Sequence, residues 1–365
     1  MSVEDLIALI SDGLKKPISK DDILSEEINL SYLKRIDKVF DKGLHFYLDP
    51  KAPDAAKEAS IFFRKQNFNA ELNLGAKKVV NHFEEFKISL SAIAKLADLD
   101  TARNIPILSI KQNPQSVANQ IRDLVYPAFT TDLKEFLKSL ISKLAERNIL
   151  VFEFVETWNK KEKANIDGFF LKPNVIVIKR NQSSFRREIF TLVHEFGHYL
   201  LNEEEVESVD YTPQSQLSTI ERWCNDFAYF FLMGNLSETI NDLKEANSNN
   251  DYHHELIKSI SEKTNLSTLS LYTRLLFDNK ISKANYNKIK AEFDEEHRAR
   301  ERLLKIQREE EKLNGVPQRG STPKPINSPL LISTIQTAFY EGVINEYEVC
   351  KTLNIKPDQL EKYIQ

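Results

Sequence analysis

Two histidines four residues apart bracket an acid in the run His194-Glu195-Phe196-Gly197-His198. On an α-helix, positions four apart differ by only about 40° in azimuth, so both imidazoles leave the same face. Two neutral imidazoles on one face can supply two legs of a tetrahedral zinc site. Glu195 is about 100° around the helix from His194, beside the metal position but not forced to ligate it. That is where a general base for a metal-activated water belongs. A catalytic site of this kind needs a third protein ligand and one open position. Glu221, at the start of the next helical run, is the candidate for that ligand. Asn225, one helical turn later on the same face, can hydrogen-bond a ligand imidazole or carboxylate from behind. The dense acids Glu203, Glu204, Glu205, Glu207 and Asp210 compete with Glu221, but such a cluster reads as a solvated face. Cys224 lies in the Glu221 helix and reads as a buried packing thiol. Tyr199, Tyr211 and Tyr229 are near in sequence to the motif and read as packing aromatics, leaving the oxyanion donor unassigned. The adjacent His253 and His254 point to different faces and read as surface residues, and His45, His82 and His297 are isolated.

The elements that must position these groups follow from periodicity. Residues 185–201 and 220–233 carry apolar side chains at helical spacing, with Ser183 and Ser184 available to cap the first. Ile189, Leu192, Val193, Phe196, Leu200 and Leu201 give the motif helix a face that buries it, where imidazoles and acids are costly unless paired or metal-bound. Ahead of it, 148–156 is an apolar, β-branched run, and 167–181 holds two short runs around Lys172-Pro173-Asn174. These predict a strand followed by a hairpin. The run 175–178 is expected to be an edge strand beside the cleft, where an extended peptide could pair with its backbone.

The rest of the chain reads as helix. Residues 1–40 suggest two short helices, and Asp54 could cap another running to Phe63. Residues 74–100 form a strong helical pattern whose end, ISLSAIAKLADLD, resembles half of a helix-turn-helix. No recognition helix follows, because Pro106 and Pro114 interrupt the next stretch, so it reads as a packing helix. The fold class expected is α+β and predominantly helical. The regions read as a helical, possible partner-binding part at 1–104, a core at 105–235 and a helical extension at 236–296. A charged, flexible linker follows at 297–329, and a small helical hairpin at 330–365. In that hairpin, Val349, Leu353, Ile355 and Leu360 pack around a turn. Its short second helix offers Asp358 and Glu361 with only Lys362, a mixture that DNA phosphates would repel.

Composition narrows the class further. Of 365 residues, 41% are hydrophobic and 28% charged, ordinary for a globular protein of two or three domains. Gly and Pro number only 9 and 13, which favours helices over a collagenous or Gly-rich linker chain. A net charge of −4 gives no global case for nucleic acid or anionic membrane. The two cysteines are too few for a disulfide framework or a cysteine-type zinc site, and reduced thiols fit a cytoplasmic setting. The N-terminus lacks the basic start of a signal peptide, and no apolar run is long enough to cross a membrane.

TLVHEFGHYLLN followed by IERWCNDFAYFFLMG resembles the ImmA/IrrE family of zinc metallopeptidases, whose second helix has the form E-x-x-x-N-x-x-A. The resemblance covers about residues 105–235. It implies a zincin-like core, a small sheet packed on the HExxH helix, with His194, His198 and Glu221 as metal ligands and Glu195 as base. Zn²⁺ is the implied cofactor, although Mn²⁺ or Fe²⁺ can share such ligands. It also implies a cytoplasmic peptidase acting on, or paired with, an Xre-type helix-turn-helix repressor or antitoxin in a mobile-element, phage, stress-response or toxin–antitoxin system. One departure is Gly234, where the family often has proline. The family's frequent N-terminal helix-turn-helix is absent, which argues against direct DNA binding. The competing class is a non-catalytic regulatory or toxin protein that uses the same fold as a scaffold for a partner or nucleic acid.

Overall fold

A computed structural model describes residues 3–14, 16–25, 27–40, 47–48, 72–156, 163–180, 184–204, 218–314 and 323–364. The helix expected from Asp54, the acids Glu205, Glu207 and Asp210, and Tyr211, His45 and Ser183 lie outside them. Among the described residues of 1–40 there are three helices where periodicity suggested two: α1 (Val3–Ser11), α2 (Lys20–Leu24) and α3 (Leu30–Phe40). The additional one is α2, begun by a capping box in which Ser19 and Asp22 satisfy each other's backbone donors. These helices close their own small core of Ile10, Ile18, Ile36 and Val39.

The centre of the molecule is a three-stranded sheet in the order β1-β3-β2, formed by β1 (Leu150–Val155), β2 (Gly168–Leu171) and β3 (Val175–Arg180). β1 runs parallel to β3, and β2 returns antiparallel as the expected hairpin. β3 is therefore the middle strand, and the expectation of an edge strand at 175–178 is corrected. The reason is that β1 and β2 bond its two edges, a pairing that its Val/Ile run permits but does not announce, since that run reflects burial on both faces. Val175 and Val177 enter one core with Phe152, Phe154, Phe169 and Leu171, whereas Ile176 and Ile178 enter another with Val151 and Phe170. This is the period-2 alternation of a pleated strand, feeding a different core on each face. Among the described residues, β2 takes the outer position beside β3.

One face of the sheet carries α5 (Pro114–Val125), α6 (Leu133–Ala145), α7 (Phe185–Leu201) and α8 (Thr219–Met233), and beyond them the extension α9 (Leu236–Asn241), α10 (His254–Thr264) and α11 (Thr268–Phe277). The other face is covered by α4 (Leu74–Leu96) and by the C-terminal helices α13 (Pro329–Tyr340) and α14 (Glu346–Thr352). α4, whose end resembles half of a helix-turn-helix, is the packing helix expected: its Phe83 ring stacks on Phe152 with centroids 5.6 Å apart. α12 (Lys283–Leu313) begins against the extension through Tyr286 and Ile289, and its residues 294–310 are exposed throughout. No helix among the described residues is long and apolar enough to cross a membrane.

A buried ionic trio pins the C-terminal segment to the sheet. Arg180 of β3 pairs with Glu188 of α7 and lies 3.6 Å from Glu153 of β1. Glu153 also accepts a 2.6 Å hydrogen bond from the Ile326 N–H. Burial pushes the Glu153 carboxyl up, against the Ile326 bond and the Arg180 charge, which pull it down. A carboxyl whose pKa is raised on folding binds more protons folded than unfolded, so stability falls as pH rises from the ordinary glutamate value through the folded one. Glu153→Gln keeps an acceptor for Ile326 and removes that loss. Its melting temperature, followed from about pH 4 to pH 7, should fall less with rising pH than that of the parent. An unchanged slope would mean that Glu153 does not titrate differently in the two states.

Candidate metal centre

α7 starts at Ser184, whose Oγ accepts from the Arg187 N–H at 3.3 Å, and stops at Asn202 in the left-handed conformation (φ 54°). Its C-terminal turn is held by Arg103, which lies 3.7 Å above the Tyr199 ring and donates to the Tyr199 carbonyl. α8 starts at Ser218, whose Oγ accepts from the Glu221 N–H at 3.1 Å, fixing Glu221 in the first turn. α8 ends at Gly234 with φ 53° and ψ −136°. Proline cannot adopt that φ, which accounts for glycine here. A Cβ would also meet the Arg122 guanidinium at 2.9 Å.

The two helices pack side by side and bring His194, His198 and Glu221 together, all buried, with ligating atoms within 4.8 Å of one another. The two Nε2 atoms are 3.2 Å apart. Glu221 Oε2 is 3.1 Å from His194 Nε2, and Oε1 is 3.3 Å from His198 Nε2. Asn225 Oδ1 is 3.0 Å from His194 Nδ1 and accepts its proton, which leaves Nε2 of the neutral ring with its lone pair toward the cluster. Among the described residues, His198 Nδ1 has no carboxylate or amide acceptor. The Cys224 thiol lies beside that ring, and burial pushes its pKa up.

The electrostatics call for a cation. Burial would raise the Glu221 carboxyl, but the charge of His198 and hydrogen bonds from both rings in their protonated form hold it well below the usual carboxylate range. Burial would likewise lower both histidines, yet each is raised, His194 by its hydrogen bond to Glu221 and the charge of Glu221, His198 by the charges of Cys224 and Glu221. Two imidazole nitrogens and a carboxylate facing each other at about 3 Å in a buried pocket create a negative potential that a proton or a divalent cation would neutralise. Two nitrogens and one oxygen are a donor set suited to Zn²⁺, and Mn²⁺ or Fe²⁺ accept it too. With Asn225 holding one ring, Asn225→Ala should weaken metal binding by about 10–100-fold without abolishing it. Competition against a chromogenic chelator measures this, and an unchanged affinity would remove Asn225 from the centre.

Close backbone approaches complete the geometry, and sequence reasoning did not assign them. A Cβ on Gly197 would lie 3.1 Å from Cys224 Sγ and 3.3 Å from Cys224 Cα, so the motif's glycine lets α8 approach α7. A Cβ on Gly168 would lie 2.7 Å from Thr191 Cγ2 and 3.1 Å from Glu195 Cγ, so the first residue of β2 backs the candidate base. The signal was present: a glycine inside a helix or strand marks close packing when it is kept despite its cost.

The remaining candidates fall elsewhere. Glu204 is buried, not solvated, and accepts from the Lys172 N–H at 2.8 Å, away from the cluster. Tyr229 lies under the Arg274 guanidinium at 4.6 Å, a packing aromatic like Tyr199. His253 and His254 are half-buried, not surface residues. His254 Nδ1 bonds the Tyr272 hydroxyl at 2.8 Å, and neither joins the metal cluster.

A small mixed sheet backing a helix that bears two histidines, closed by a carboxylate from the following helix, defines a zincin-like fold. Residues 145–276 match the family described as the IrrE N-terminal-like domain, which supports the resemblance to the ImmA/IrrE metallopeptidases over this span. The match runs from the end of α6 through α11. No curated protein and no solved structure gives a significant match.

Proposed function

We propose that this protein is a zinc-dependent endopeptidase in which His194, His198 and Glu221 hold the ion and Glu195 is the general base. The observation that carries the reading is the convergence of three buried ligating atoms within 4.8 Å. A divalent cation held there would supply Lewis-acid polarisation of the scissile carbonyl and make a water more acidic. The protein's own residues do the rest. Glu195 takes the proton of the attacking water and delivers it to the leaving amine. Asn225 keeps His194 in the tautomer that offers Nε2, and the apolar packing of α7 and α8 keeps bulk water from the cluster.

The substrate we propose is an Xre-type helix-turn-helix repressor or antitoxin in the cytoplasm, within a mobile-element, stress-response or toxin–antitoxin programme. The ImmA/IrrE relationship supports it. The test has two parts. Elemental analysis should find about one equivalent of metal per chain in the parent and little in His194→Ala. Co-expression with neighbouring repressor-like proteins should yield cleavage that Glu195→Gln abolishes. A parent free of metal after purification without chelators, and unable to take up Zn²⁺, would overturn the metal assignment. Metal binding without cleavage of any such partner would overturn the substrate.

A further inference from the structure

On the face of the sheet away from the metal cluster, α4, the 99–101 loop, the β2–β3 turn and α13 surround a cavity of about 280 Å³. Most of this wall lies outside residues 145–276, in segments that the family domain does not include. Part of the lining is aliphatic: Leu90, Leu150, Val175 and Leu330. Hydroxyls alternate with it, from Ser91, Thr101, Ser333 and Thr337. Among the described lining residues only Lys87 and Asp100 are charged, one of each sign, and they come from different elements.

This chemistry excludes most ligand classes. Among the described residues no aromatic ring lines the cavity, so a nucleobase has nothing there to stack on. A single ammonium accompanied by a carboxylate is a poor seat for a phosphate, which calls for several cationic donors. A pure hydrocarbon would strip water from the hydroxyls and amides without replacing their bonds. The volume lies at the lower end of ligand pockets, below that of most drug-sized molecules. We infer that this cavity binds a small zwitterion with an aliphatic side chain, a free α-amino acid or a dipeptide, its carboxylate toward Lys87, its ammonium toward Asp100 and its side chain on the leucine wall.

Occupancy would act on the element that leads to the metal helix. Lys87 Nζ donates to the Lys172 carbonyl at 3.0 Å, and Asn174 Nδ2 donates to the Asn148 carbonyl at 2.6 Å, so the β2–β3 turn is already tied to both walls. The same turn reaches the end of α7 through Lys172 N–H and Glu204. A ligand bridging α4 and α13 would clamp this turn between the flanking helices.

Isothermal titration of the full chain with L-leucine and with alanyl-leucine tests the inference, with N-acetyl-leucinamide, which lacks both charges, as the control. At least one zwitterion should bind about tenfold or more tightly than the control. Asp100 Oδ1 accepts from the Ala102 N–H at 2.7 Å, a bond that Asp100→Asn retains. That variant should still lose about tenfold in affinity, as should Lys87→Gln. Ser91→Trp, at an exposed position on the rim, should abolish binding. If its melting curve shows that it has not folded, the two charge variants decide. No heat from either zwitterion up to about 10 mM, equal binding of the uncharged control, or full affinity in both charge variants would overturn the proposal.

Discussion

Glu195→Gln should retain a full equivalent of metal and lose peptide hydrolysis by roughly 10²–10⁴-fold, the usual contribution of a positioned general base. The two effects separate because Glu195 is not among the groups that converge on the cation position; His194, His198 and Glu221 are. Glutamine preserves the volume of a side chain that is only 6% exposed, so the backing contact with Gly168 survives and the fold is undisturbed. It cannot accept a proton at neutral pH. Single-turnover cleavage together with metal content provides the readout. If the glutamine variant cleaved at the parent rate, another group would have to be the base. If it lost its metal, Glu195 would have to be recast as a ligand.

The second large effect belongs to a residue that touches no ligand. In Gly197→Ala the new methyl would sit 3.1 Å from Cys224 Sγ, 3.2 Å from Cβ and 3.3 Å from Cα. A flexible side chain could yield by a few tenths of an ångström, but the α-carbon can yield only if α8 moves. Glu221 is one helical turn before Cys224, so it would move away from His194 and His198 with the helix. Overpacking of this kind costs about 1–3 kcal/mol in stability. For a chain of this size that lowers the melting temperature by several degrees, at about 2–4 °C per kcal/mol. Metal affinity should fall by about tenfold or more, since ligands displaced by even part of an ångström bind poorly. Adding Cys224→Ala removes the Sγ contact and should restore part of both losses. Parent-like melting and affinity in Gly197→Ala would show that the α7–α8 spacing does not set the site.

Much of this centre was legible in the sequence, because its ligands are spaced by local rules. His194 and His198 are fixed relative to each other by one turn of helix. Glu221 and Asn225 share a face for the same reason, and Ser218 holds Glu221 in the first turn of α8. The hairpin was legible from two apolar runs around Lys172-Pro173-Asn174. Strand order was not, since it depends on which neighbours cover each face, and 175–178 carries the same apolar residues whether it stands at an edge or in the middle. Glu204 looked solvated in an acidic run because nothing local announces the Lys172 N–H that it accepts. The tight approaches at Gly168 and Gly197 were equally hidden: each joins residues distant in sequence, and a glycine does not say what comes near it.

The sheet is thin, three strands wide, and neither of its surfaces is left to water. Phe152, Phe154 and Phe169 are sealed beneath α4 on one side of the family domain in chain order and beneath α13 and α14 on the other. The ImmA/IrrE-like stretch is therefore not a self-sufficient unit with optional appendages. Trimming either end down to it would uncover a broad aromatic surface and invite aggregation, so the flanking segments are as much a part of the folded unit as the helix that bears its histidines.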